Sequence, residues 1–183
     1  MTRRKIRSYA ALVLGALLTT TSALNAESRK TDSEQASKLL SEARSEALLL
    51  QKDAEQLSAF MQSSVSWQSH ADALSQIRTH VNNVGSTVRQ LNDLRVISSE
   101  WQNVAIDRLT PLLNELASNT QRTIEKLNAN PNAVHSPQYR RYVSTHQELA
   151  TDLANMIGSF VDYGKAKEKF EALTRKLELP DGQ

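Results

Sequence analysis

An apolar stripe stepping by four and three residues runs through most of the chain. Its cleanest stretch is Ala36, Leu40, Ala43, Ala47, Leu50, Ala54, Leu57, Met61. Such steps return each side chain to one face of an α-helix. Each stretch is therefore a helix packed along its length on other helices. Ala, Leu, Gln, Glu, Lys and Arg dominate between turn signals, and only 5 Gly and 4 Pro occur in 183 residues. That composition favours helix throughout over a sheet.

The first helix is predicted to start at Thr31, whose spacing to Glu34 fits a capping box, and to end at Met61 or Gln62. Residues 63–66 are Ser-rich and read as a turn. A second helix carries Trp67, His70, Leu74, Ile77, Val81, Val84, Val88 and Leu91 on one stripe, with Gly85 inside it. Beyond Leu91 the same spacing would put Arg95, Ser98 and Gln102 in the core. Ser99 and Gln102 instead offer a new capping box, so the third helix is placed near Ser99. It points Trp101, Ala105, Leu109, Leu112, Leu116 and Leu127 inward, with Ile106, Leu113 and Ile124 beside them. Thr110-Pro111 is an alternative start, as cap and first-turn proline. The apolar phase survives across Pro111, which favours one kinked helix.

Residues 128–136 form the clearest loop, and Ser136-Pro137 opens a fourth helix. Its stripe reads Tyr139, Tyr142, His146, Leu149, Leu153, Met156, Phe160, Tyr163, Lys167, Phe170, with Lys167 out of character. Short connections make successive helices antiparallel neighbours. The expected fold is all-α, an antiparallel up-down-up-down four-helix bundle with a long fourth helix.

Residues 1–26 read as a cleaved secretory signal peptide, leaving residues 27–183 as a single bundle domain. Arg3, Arg4, Lys5 and Arg7 make a positive n-region, residues 10–18 an apolar core, and Leu24 and Ala26 suit a signal peptidase site; Thr21 and Ala23 are a second choice. Residues 9–24 include four Ser/Thr and fall short of the roughly 20 apolar residues that a membrane span needs. No Cys follows the apolar core to carry a lipid, and no second apolar run exists. The expected product is a soluble exported protein, periplasmic or extracellular, beginning at Glu27 and without stable membrane insertion. With no Cys it gains no disulfides and needs a real core.

Cleavage also changes the charge. The whole chain has 22 Lys+Arg against 20 Asp+Glu, but four of the basic residues lie in the n-region. The remainder is slightly acidic, with no basic run interleaved with aromatics, which disfavours nucleic acid as a partner.

Motifs for chemistry are missing. None of His70, His80, His135 or His146 has a Glu three residues before it, as di-iron bundles require. There is no Cys-x-x-Cys-His, His-Glu-x-x-His, phosphate-binding glycine loop or Gly-x-Ser-x-Gly. The expectation is a non-catalytic structural or protein-interaction module with no enzyme activity, metal or cofactor. The alternative is a cofactor-binding bundle holding non-covalent haem or a metal. Met61, His70 and His146 are its candidate ligands, because the topology gathers them at one aromatic-rich end.

The fourth apolar stripe outruns the others. Three fates are open to its end: a break at Gly164 with a short helix folding back, cover from residues 27–35, or projection toward a partner or a second copy. In the last case Phe170, Leu173 and Leu177, set among Lys165, Lys167, Lys169, Arg175 and Lys176, are the partner-binding candidates.

Overall fold

The structure, a computed structural model, describes residues 31–177. The proposed signal peptide lies outside the described residues. Four helices follow one another: α1 (Glu34–Phe60), α2 (Trp67–Asp93), α3 (Glu100–Ala129) and α4 (Pro137–Lys176). One 3₁₀ segment, Pro131–His135, joins α3 to α4. α1 packs on α2 and α4, and α3 packs on the same two, which closes an antiparallel four-helix bundle.

Serine caps every helix start. Ser33, Ser66, Ser99 and Ser136 are the four N-caps, and Pro137 occupies the first turn of α4. The expected cap at Thr31 is wrong by two residues. Ser33 accepts the Ala36 N–H at 3.3 Å. A tertiary contact selects it. The Gln102 amide accepts the Ser33 N–H and donates to the Ser33 carbonyl, each at 2.9 Å. It also donates to the Ser37 hydroxyl at 3.0 Å and accepts the Ser99 N–H at 3.0 Å. Gln102 is fully buried with both amide atoms engaged, and it ties the start of α1 to the start of α3. α3 then runs unbroken through Pro111, whose missing N–H leaves the Asp107 carbonyl without its helical donor.

The first two stripes are buried as expected, with exceptions at their ends. Ala36, Leu40, Ala43, Ala47, Leu50, Ala54 and Leu57 are in the core, and Met61 only packs on its edge. In α2 the stripe from His70 to Leu91 is buried, whereas Trp67, at the first helical position, is exposed. In α3 the inward row is Ile106, Leu109, Leu113 and Leu116, continued by the polar Asn119, Thr120 and Thr123 to Leu127; Trp101, Leu112 and Ile124 are only partly buried. The threonines fit because Thr120 donates to the Leu116 carbonyl at 2.8 Å and Thr123 to the Asn119 carbonyl at 2.7 Å.

The fourth stripe departs furthest. Tyr139, Val143, His146, Ala150, Leu153, Ile157 and Val161 form the buried row, while Tyr142, Met156 and Phe160 are half-buried and Tyr163 and Phe170 exposed. A strict seven-residue repeat drifts about 20° per heptad around a straight α-helix. Over four turns and more, it leaves the core and climbs onto the outer face.

Candidate functional site

The aromatic end brings together only part of the expected constellation. His70 sits edge-on between Phe60 and Tyr139, with ring centroids 5.5 Å away in each case. Its Nδ1 meets the Tyr139 hydroxyl at 3.2 Å. Burial lowers the His70 pKa and raises that of Tyr139, so both partners are neutral. Met61 and His70 share a cavity of about 100 Å³ with Phe60, Val134, His135 and Arg140. That volume is below the roughly 300–1,000 Å³ of small-molecule sites and far too small for a haem.

His146 is elsewhere. It lies seven residues beyond Tyr139, about 10 Å further along α4. It is fully buried, and its Nδ1 faces the Thr120 hydroxyl at 3.4 Å. That hydroxyl already donates to the Leu116 carbonyl, so it accepts here and places the imidazole proton on Nδ1. The Nε2 lone pair has no hydrogen-bond partner. Burial pushes the His146 pKa down to about 4. Thus Met61 and His70 are neighbours, and His146 is separate from both. Among the described residues no three His, Asp or Glu side chains are grouped to hold a metal ion.

Sequence reasoning missed a histidine tie between α1 and α2. His80 Nδ1 meets Glu46 at 2.8 Å, and Nε2 lies 3.4 Å from Asp53. Asn83 also donates to Glu46 at 3.0 Å. These two hydrogen bonds hold Glu46 below the usual carboxylate range against partial burial. Glu46 and Asp53 are seven residues apart on one helix, so an imidazole spans them where one cation would not.

The opposite end of the bundle is built around Trp101. Its indole N–H donates to Asp32 at 2.7 Å, and Lys167 reaches the other Asp32 oxygen at 2.8 Å. Lys167 also pairs with Glu171 at 3.0 Å. Partial burial works against the Asp32 charge, but the hydrogen bonds from Lys167 and Trp101, the nearby Ser99 side chain and the Lys167 charge outweigh it and lower its pKa. The same two carboxylates raise Lys167 against its own partial burial. The out-of-character lysine is therefore the anchor of α4 to the chain entering α1.

Trp101 also packs edge-on against Tyr163 at 5.3 Å. Gly164 lets the indole approach, since a β-carbon there would stand 2.9 Å from the ring. At Gly85 the nearest atoms would be at 3.6 and 3.7 Å, an ordinary contact. Opposite outcomes are expected from the same substitution. Gly85→Ala should stabilise by about 1 kcal/mol through helix propensity. Gly164→Ala should destabilise by about 1–3 kcal/mol, because a rigid ring must move. Urea melts with tryptophan fluorescence test the pair, and stabilisation at both positions would refute the close approach of Trp101.

Beside Trp101 a groove of about 750 Å³ runs between α3 and α4. Trp101, Pro111, Leu112, Met156, Phe160 and Tyr163 form its apolar floor and walls, and Arg108, Glu115 and Asp152 its charged rim. α4 then continues without a break through Gly164 to Lys176, which overturns the folded-back fifth helix. Of the expected N-terminal cover, residues 27–30 lie outside the described residues, and Asp32 reaches α4 at Lys167. Past that point Thr174 is buried with its hydroxyl on the Phe170 carbonyl. The three candidates on the tail are open: Phe170 is 63 %, Leu173 48 % and Leu177 61 % exposed, and Tyr163 is 53 % exposed before them. At 100° per residue these four fall on the sector of α4 that faces the groove, so groove and tail make one continuous track.

Compared with known proteins, the chain matches no family model, no curated protein and no solved structure. No helix among the described residues is long and apolar enough to cross a membrane.

Proposed function

We propose that this chain is an exported, non-catalytic helical bundle that works by binding protein through the outer face of α4. One observation carries the reading. Tyr163, Phe170, Leu173 and Leu177 stand exposed in a row that extends an apolar groove, where isolated surface apolar residues would be unremarkable. The buried polar groups support a structural rather than a chemical use. Gln102, Asn119, Thr120 and Thr123 each donate a hydrogen bond to a backbone carbonyl, and Gln102 and Thr120 add one side-chain contact each, to Ser37 and His146. Export rests on the basic, apolar and small-residue order of the first 26 residues.

Two measurements test this. Intact mass of protein recovered from the native envelope should correspond to a chain starting at Glu27; retention of residues 1–26 would refute export by cleavage. A photoreactive amino acid at position 170 or 173, introduced in the native host, should give a discrete protein adduct. The same group at Lys52, exposed on α1, should not. Absence of any adduct from folded protein at both tail positions would sink the binding role.

A further inference from the structure

The outer face of α4 carries a heptad of its own. Ser159, Tyr163, Ala166, Phe170, Leu173 and Leu177 step by four, three, four, three and four residues. The core row of the same helix is a different set, ending at Ile157 and Val161. A strict heptad held on an exposed face is the seam of a two-helix coiled coil. Among the described residues no helix packs on this face.

We propose that the partner is a second copy of this chain, with the two α4 helices packed antiparallel about a two-fold axis beside Glu168. This rests on the protein-binding reading and names its occupant. In that register Tyr163 meets Leu173 of the second copy, Ala166 meets Phe170, and Ser159 meets Leu177; symmetry repeats each layer. Large residues face small ones at the Phe170 and Leu177 layers, which lets helices approach closely. Charge is compatible with that register. Asp162, which pairs with Arg44 at 2.7 Å within its own copy, flanks the seam and falls opposite Lys176 of the second copy, and this contact occurs twice. Lys169 meets its own mate at the axis on that flank, and Lys167, already paired with Asp32 and Glu171, meets its mate on the other.

The antiparallel arrangement follows from the groove. α4 has 40 residues against 27 in α1, an excess of about 20 Å. Only antiparallel pairing lays the overhang of each copy, with Leu173 and Leu177, across the groove of the other. A parallel pair would stack the two overhangs on each other and leave both grooves uncovered. The resulting interface is isologous and closed, so it stops at two.

Sedimentation of the purified chain should show a reversible dimer. Leu173→Asp should weaken it at least about tenfold and leave helicity intact, because Leu173 is exposed in the single bundle. The chain lacks cysteine, so cross-linking reads the register directly. Y163C/L173C should oxidise to a covalent dimer. Within one copy these positions are ten residues apart, about 15 Å along the helix and beyond disulfide reach. Y163C alone should stay uncoupled, since only a parallel pair brings two copies of position 163 together. A monomer at every concentration, a dimer indifferent to Leu173→Asp, or cross-linking by Y163C alone would each overturn the proposal. A monomer whose tail cross-links to a different protein in the host overturns self-pairing while leaving the binding function standing.

Discussion

Acidification from pH 7 toward pH 4 is expected to remove about 3 kcal/mol of stability through His146 alone. The imidazole titrates near 6.5 in the unfolded chain and near 4 in the folded one, because burial penalises the cation. Between those values the unfolded state binds more protons, so stability falls as pH falls. The contribution is complete above pH 6.5 and is lost progressively down to about pH 4. His70, also lowered by burial, adds in the same direction. The lowered carboxylates of Asp32 and Glu46 lose their contribution from the ordinary carboxylate range downward, so they do not account for a slope between pH 5 and 6.5. His146→Leu should flatten much of that slope. At pH 7 it should change stability by no more than about 1 kcal/mol, because it also removes the unpaired Nε2. Urea melts at stepped pH decide the matter; parallel curves for the two proteins would assign the acid response to other groups.

The bundle was legible because most helix ends, and the buried faces of α1 and α2, carry local signals. The serine starts at Ser99 and Ser136 and the turn after Met61 are local signals, and the structure agrees with them; of the loop read over 128–136, residues 128 and 129 still belong to α3 and Pro131–His135 coil into a 3₁₀ segment. Thr31 and Ser33 are a different case. Only Thr31 has a glutamate three residues on, whereas Ser33 has Ala36 there, so the local signal favours Thr31; Gln102, 69 residues away from Ser33, decides for Ser33. That choice is not written locally. Polar core positions fail for a related reason: Asn119, Thr120 and Thr123 read as surface until their carbonyl partners are known.

The candidate site was legible in pieces. Phe170, Leu173 and Leu177 were visible as a stripe beyond the length of the other helices, and all three are exposed. Met61, His70 and His146 share an end of the bundle in topology, but two helical turns separate the histidines along it. The groove itself was hidden by a period error. Met156, Phe160 and Tyr163 follow Tyr139 at heptad spacing and were assigned to the core, whereas a helix of 3.6 residues per turn rotates them toward α3 and solvent. The same rotation joins them to the tail. Gln102 was legible as the capping-box partner of Ser99 but not as the tie to Ser33, and Lys167 and His80 were opaque, since these roles depend on Ser33, Asp32 and Glu46 from a distant part of the chain.

Truncation of the central leucines should have the largest effect of any single change. Leu50 and Leu153 are fully buried, on α1 and α4, in one continuous cluster. Changing either to Ala removes the transfer free energy of the deleted atoms and leaves a cavity that a close-packed bundle fills only in part. The expected cost is about 2–5 kcal/mol each. Leu113 and Leu112 make the sharper comparison, because they are neighbours in sequence and differ only in helix phase. Leu113 is buried, whereas Leu112 lines the groove and is only partly covered. Leu113→Ala should therefore cost more than Leu112→Ala, although the seven-residue repeat places Leu112 inward. Gln51→Ala, which removes only an exposed bond to Glu55, should stay within about 0.5 kcal/mol. Denaturant melts of the six proteins, the parent included, order the substitutions directly. A cost at Leu112 equal to or above that at Leu113 would restore the heptad phase to α3. It would also remove one wall of the groove on which the binding role depends.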